Sequence, residues 1–355
     1  MPAISLCMIV KNEEMHIGRC LDSVAELVEE IIIVDTGSTD RTVEIVSKYT
    51  EKVYSYPWKD DFSDARNYSF SKASMDYCMW MDADDILEEA EKDKFLQLKQ
   101  SLSPEVDIVM MKYNTSFDEA GRPLFSYYRE RWIRNSPQYR WLGAVHEVIP
   151  PQGRVIYSDI AVSHKKTGPG DPDRNLRIYQ KMAAEGKVFE PRQQYYYGRE
   201  LYYHKRYQEA VSVLEQFLLS ADGWVENKIE ACSVCASCYY RLGQDWSALN
   251  ILLRSMSFDL PRAELCCEIG KHFLERGNCQ NAVYWYETAL SRPKNECCGG
   301  FILPDCYDYV PFLQLCVCYD RLGDRKKAIE YNEKAGVCKP YSQAYLYNKR
   351  YFDSL

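Results

Sequence analysis

The stretch from Trp80 to Leu87 reads WMDADDIL, an apolar run that reaches Met81 and stops at three aspartates with one alanine among them. Carboxylates this close repel one another unless a cation or a hydrogen-bond network compensates them. Side chains alternate along a strand, so Asp82 and Asp84 share one face. Two hard oxygen ligands there suit Mg2+ or Mn2+ held jointly with a substrate phosphate. Acidic pairs also cap helices, and Asp85 is expected to cap the helix that follows.

Two more polar clusters follow apolar runs. Asp35 ends "EIIIV" and opens "DTGSTDRT", where its carboxylate can accept from the N–H of a base such as uracil. Ser38, Thr39 and Asp40 can cap the next helix. "KNEE" follows Ile4–Val10, and its Asn12 and Glu13 can form the other wall of a base pocket. "DFSDARN" supplies Arg66 and Asn67, and the guanidinium fork of Arg66 can pair with a diphosphate or with a surface carboxylate.

The elements that position these residues alternate. Ile4–Val10, Glu30–Val34, Val53–Tyr56 and Tyr77–Met81 read as short strands, separated by amphipathic stretches that include Thr42–Tyr49 and Asp61–Ala73. That alternation predicts βαβ units and a mostly parallel sheet, in which ligands bind beyond the carboxyl ends of the strands. Three of those ends carry "KNEE", "DTGSTD" and "DADD". Ile108–Tyr113, the Tyr- and Arg-rich stretch Tyr127–Trp141 and "GAVHEVI" are expected to add antiparallel strands. Lys165–Arg174 reads as a loop and Asn175 to about Lys187 as a helix.

After Pro191 no strand signal persists, and helical segments recur. Ala210, Ala248, Ala282 and Ala328 occupy matching places, at intervals of 38, 34 and 46 residues. A helix-turn-helix repeat of about 34 residues has the tetratricopeptide period. Gly243, Gly277 and Gly323 stand where each first helix must end. Four hairpins are expected from about Gln193 to Pro340, followed by a C-terminal helix. The last interval carries the insertion "NECCGGFILPDC". Such arrays present a groove that binds peptide segments, or serve as a cap or dimer surface.

The chain has 355 residues, 46% hydrophobic and 27% charged, with a net charge of -8, which suggests two folded domains and disfavours nucleic acid as a partner. No stretch approaches the ~18 apolar residues of a spanning helix. No secretory signal is read at the N-terminus, so the expected location is cytoplasmic. Of 15 cysteines, 12 lie after Lys228. Cys232, Cys235 and Cys238 suggest a metal pattern, but their spacing fits one helix face and no partner CxxC or His pair follows, so packing is expected.

"SLCMIVKNEE", "IIIVDTGSTDRT", "DFSDARN" and "WMDADD", in that order, resemble the inverting family 2 glycosyltransferases. The likeness is strong over roughly Ile4–Leu87 and weaker to about His164. It implies a GT-A fold (a Rossmann-like mixed sheet), a nucleotide-diphosphate sugar donor, UDP-linked, and Mn2+ or Mg2+. Asp35 then matches the base-binding aspartate, Asp82 the first DxD aspartate near the ribose or metal, and Asp84 the direct metal ligand. Inverting transfer needs a carboxylate to deprotonate the acceptor. Where that family often has an acidic pair, this chain has His146 and Glu147. Glu147 is the expected base, with His146 as alternative base, metal ligand or phosphate contact. His164 is expected to close over the metal or diphosphate. Trp132 and Trp141 can stack on a sugar, though core packing is the simpler role.

A catalytic domain at 1–187 followed by an all-α repeat domain at 188–355 is similar in arrangement to bacterial enzymes that glycosylate peptides or proteins, including the sublancin-type S-glycosyltransferases. That similarity implies a peptide or protein acceptor gripped by the repeats, with a Cys, Ser or Thr nucleophile, and leaves a homodimer open. The alternatives are transfer to a surface glycan or lipid-linked acceptor, and an inactive repeat-based interaction protein.

Overall fold

A computed structural model describes residues 1–117, 121, 123–165, 168, 170–295, 300 and 302–355. Lys166, Thr167 and Pro169 of the expected loop, and Cys297 and Cys298 of the insertion, lie outside the described residues. The chain divides into two compact units, Met1–Val188 and Phe189–Leu355.

The first unit is built on one eight-stranded sheet. Its strands are β1 (Ile4–Val10), β2 (Glu30–Asp35), β3 (Val53–Ser55), β4 (Tyr77–Trp80), β5 (Asp85–Leu87), β6 (Ile108–Phe117), β7 (Pro123–Arg134) and β8 (Val155–His164). They lie in the order β3-β2-β1-β4-β7-β6-β8-β5. β3, β2, β1 and β4 run parallel, β7 is antiparallel to β4 and β6, and β8 is parallel to β6 but antiparallel to β5.

β1 and β2 are almost wholly buried, as expected for central strands covered on both faces. Alternation sends Leu6 and Met8 into one core with Ile17 and Leu21 of α1 (Ile17–Val24) and Phe95 of α4 (Glu89–Ser101). Cys7, Ile32 and Cys78 face the other side, against Phe70 of α3 (Phe62–Phe70). Asp61 caps α3, accepting from the Asp64 N–H at 2.9 Å. α2 (Thr42–Val46) follows the Asp35 loop, and α5 (Arg174–Ala184) lies near the end of this unit.

One expected strand is absent. "GAVHEVI" forms a loop closed by an isolated bridge between Leu142 and Val148. Gly143 at φ 94° and His146 at φ 52° are left-handed, a conformation that extended pairing does not tolerate. The sheet continues beyond β6 with β8, which the sequence reading passed over, and ends at β5.

The second unit is all helix: α6 (Pro191–Tyr203), α7 (Tyr207–Leu219), α8 (Val225–Arg241), α9 (Asp245–Arg254), α10 (Ala263–Glu275), α11 (Cys279–Leu290), α12 (Tyr309–Arg321), α13 (Arg325–Cys338) and α14 (Gln343–Asp353). The expected α/β domain followed by tetratricopeptide-like hairpins is therefore what the chain contains. Ala210, Ala248, Ala282 and Ala328 are fully buried, because a larger side chain would hold each helix off its partner. Gly243, Gly277 and Gly323 take φ of 72°, 75° and 83° just past α8, α10 and α12, so they end the first helix of each hairpin. Lys205, at φ 60°, does the same for α6 without a glycine. Cys232, Cys235 and Cys238 lie along α8 with no exposure, and burial pushes the Cys232 thiol up to about 12 and Cys238 to about 11. Among the described residues no helix is long and apolar enough to cross a membrane.

Candidate functional site

The parallel strands β1, β2 and β4 end side by side, and their loops are laced together. Val10 pairs with Asp35 at the end of β1 and β2. The "KNEE" loop then docks on the Asp35 loop. The Asn12 N–H donates to Ser38 Oγ at 3.0 Å, and Asn12 Oδ1 accepts from the Thr39 N–H at 2.8 Å. The Glu13 N–H donates to Thr42 Oγ1 at 2.7 Å. Asn12 is left-handed at φ 55°, which turns the chain away from β1. The Asp35 carboxylate is buried and accepts from the N–H groups of Gly37 and Ser38, each at 3.2 Å. It shapes its own loop and keeps acceptor capacity for a further donor.

Asp82 and Asp84 follow β4. Asp82 Oδ1 accepts from Arg66 Nη2 at 2.7 Å. Burial pushes the Asp82 carboxyl up, but Arg66 outweighs it and brings it down to about 2. Asp84 has no such partner: burial and the charges of Asp82 and Asp85 outweigh the His164 ring and raise it. Burial and the nearby Asp84 charge also raise Glu13, which brings the "KNEE" loop into the electrostatic reach of "DADD".

Asp85 is not a helix cap. It opens β5, is fully buried, and forms an ion pair with Arg131 at 3.1 Å. In the antiparallel register of β5 and β8, Asp85 sits opposite His164. His164 Nδ1 thus lies 3.3 Å from Asp84 and 3.2 Å from Asp85. Burial disfavours the imidazolium, yet the surrounding carboxylates raise its pKa. Asp84, Asp85 and His164 offer ligand atoms all within 4.8 Å of one another, and among the described residues no other group of three such side chains does. An acidic site whose Asp84 carboxyl is raised by burial and by the charges of Asp82 and Asp85 fits a hard divalent cation. Asp82 is held by Arg66 instead of joining this group.

Arg66 is the largest departure from expectation. Its Nε donates to Glu147 Oε1 at 2.7 Å while Nη2 holds Asp82, so one guanidinium bridges the two carboxylates expected to serve donor and acceptor. Its side chain is 6% exposed, and Nη1 is buried without a partner. The fork is spent on protein carboxylates and does not lie open for a diphosphate. The loop of His146 and Glu147 is braced by Glu130, which accepts from the Ile149 N–H at 3.3 Å. Trp132 and Trp141 are core residues, 0% and 1% exposed.

Sequence reasoning missed Tyr113, Arg131 and the placement of Asp85. A run of three charged residues, Arg129-Glu130-Arg131, inside an otherwise half-apolar strand was the available signal. β6 and β7 slip register there, Val109 facing Trp132 and Met110 facing Glu130, so Arg131 is the extra residue of a bulge. Bulges re-aim a side chain, here into the interior.

Residues 5–152 match the family described as Glycosyl transferase family 2. A TPR repeat-containing protein of Synechococcus elongatus is 36% identical over 151 residues, covering 42% of this chain and 36% of that protein. The SPbeta prophage-derived glycosyltransferase SunS of Bacillus subtilis is 28% identical over 228 residues, 61% of this chain and 53% of that one. The lipopolysaccharide core biosynthesis glycosyltransferase LpsC of Rhizobium meliloti is 28% identical over 160 residues, 43% and 58%. The chain thus spans between about a third and about three fifths of the length of these curated relatives. The family match lies within the N-terminal unit, and 61% of the chain is similar to glycosyltransferase SunS.

Proposed function

We propose that the protein is a metal-dependent inverting glycosyltransferase that moves a sugar from a UDP-linked donor to a peptide or protein side chain. The observation that carries this reading is the meeting of Glu13, Asp82, Asp84 and His164, beside Asp35, beyond the carboxyl ends of parallel strands in a family 2 domain. Asp35 takes the base, with Asn12 and Glu13 as the facing wall. Asp82 lines the ribose edge. Asp84 and His164 hold Mn2+ or Mg2+, which when bound supplies positive charge to the diphosphate.

Glu147 is the proposed base. Its ion pair with Arg66, at 2.7 Å, holds the carboxylate in place beside Asp82. The acceptor's O–H or S–H proton passes to Glu147 as that oxygen or sulfur attacks C1 from the face opposite the diphosphate. The C1–O bond breaks, and its electron pair leaves with UDP. Arg66, between Asp82 and Glu147, sets the spacing of the two carboxylates. Glu147→Gln is expected to bind donor normally but lose transfer, and normal turnover in that variant would move the base to His146.

The peptide acceptor is supported by four stacked hairpins of a kind that grips extended segments. A glycan acceptor is favoured by the likeness to LpsC. The deciding experiment incubates the protein and Mn2+ with a panel of UDP- and GDP-sugars and follows nucleotide release, with mass spectrometry of candidate peptides and of glycan acceptors. UDP release with a sugar mass added to a peptide supports the proposal. A mass shift on glycan alone transfers it to the second reading, and no binding or hydrolysis of any donor overturns the enzyme reading.

A further inference from the structure

Outside the proposed donor contacts, Asp85 and Tyr113 reach His164, and Arg131 holds both of them. Asp85 is fully buried, and both its oxygens are occupied. Oδ1 accepts from the Tyr113 hydroxyl at 2.8 Å and lies 3.2 Å from His164 Nδ1. Oδ2 accepts from Arg131 Nη1 at 3.1 Å and from the Asp82 N–H at 3.1 Å. A carboxylate has about four acceptor sites; three donors and the His164 ring nitrogen face them. Asp85 therefore has nothing left to offer an ion, although its position would otherwise make it a ligand.

Arg131 anchors the arrangement. It has no exposed side-chain surface, and its guanidinium carbon lies 3.9 Å from the Trp80 ring centre and 4.5 Å from that of Tyr113. Its Nη1 also donates to the Trp80 carbonyl at 3.0 Å, and its Nε and Nη2 face no acceptor. A charge so enclosed is tolerable only with its counter-ion in place, so Arg131 pins Asp85. Tyr113 reaches from β6, its hydroxyl 2.9 Å from His164 Nδ1. Nδ1 therefore faces three oxygens, on Tyr113, Asp85 and Asp84, and the ring nitrogen among acceptors is the one that carries hydrogen.

We infer that Asp85, Tyr113 and Arg131 are positioning residues that hold His164 as its Nδ1–H tautomer, so that Nε2 and the Asp84 carboxylate are left to bind the divalent cation. Histidine ligands are oriented in this way by a carboxylate on the other ring nitrogen. The inference rests on the cation reading of the proposed function, and it removes Asp85 from the ligands.

Nitrogen NMR of ring-15N-histidine-labelled protein tests it, with His164→Gln to assign the signals. At a pH where the ring is neutral, the expected spectrum has protonated Nδ1 and bare Nε2, with Nε2 the nitrogen perturbed by Mn2+. Tyr113→Phe keeps the ring over Arg131 and removes only the hydroxyl. It is expected to weaken Mn2+ binding about tenfold, read by electron paramagnetic resonance of free Mn2+, while circular dichroism is unchanged. An Nε2–H tautomer, or unaltered Mn2+ affinity in Tyr113→Phe, overturns this inference and leaves the proposed function standing. A wild-type protein that binds no Mn2+ overturns both.

Discussion

Between Met1 and Val188 the interior holds Glu30, Arg66, Asp85, Lys99, Glu130 and Arg131, whereas from Phe189 onward it holds fewer charges, Glu200 and Lys228, and more thiols, among them Cys232, Cys235, Cys238, Cys266, Cys316 and Cys318. Both interiors are closely packed, but for different ends. Burying a charge is costly unless it is paired, so a fold that does so repeatedly is holding side chains in set places. Small thiols and alanines hold nothing in place beyond the spacing of helices. The first unit relies more on directional contacts and the second more on volume, and a substitution should damage each in its own way.

The sharpest test of that difference is Asp84→Ala. It removes a ligand and no buried pair, so Mn2+-dependent UDP release should fall by about a hundredfold or more while the melting temperature holds. Unchanged turnover, or turnover indifferent to a chelator, would break the assignment of chemistry to this site. Arg66→Ala should act on stability as well. With Asp82 and Glu147 left facing each other, the unfolding free energy in a urea titration should drop by about 3–5 kcal/mol. Arg66→Lys should recover only part of the loss, because an ammonium cannot bridge both carboxylates through a fork.

The repeats should respond to volume alone. A Cβ on Gly198 would overlap Leu214 Cγ. Gly198→Ala should therefore cost about 1–3 kcal/mol in the same titration and leave UDP-sugar hydrolysis as it was. The mildest expected effect is Cys232→Ala, about 1 kcal/mol, with no zinc found in either protein by elemental analysis. Stoichiometric zinc in the wild type, lost in the variant, would overturn the packing role of these cysteines.

Much of this was legible in the sequence where a signal is local and periodic. The apolar runs of β1, β2 and β4 end at "KNEE", Asp35 and "DADD", and four alanines with their glycines carry the repeat period. What escaped depends on pairing between distant segments. "VIYSDIAVSH" has too ragged an alternation to stand out as β8, and "GAVHEVI" reads as a strand until Gly143 and His146 turn left-handed. Asp85 looks like a cap because its neighbours are acidic. Only its register with His164 and its ion pair with a bulged Arg131 show it to be interior.

The short strand β5 also has a bearing on when the site comes into being. It lies at the end of the sheet with β8 as its neighbour there, and it brings together Asp85 and His164, 79 residues apart. A ribosome adds about 5–20 residues per second, so β1, β2 and β4 emerge several seconds before the segment that closes the acidic corner. During that interval Asp82, Asp84 and Asp85 stand without the histidine that later faces them. A fragment trimmed at residue 152, where the family match ends, would stay in that unfinished condition, keeping Asp84 but lacking both β8 and His164.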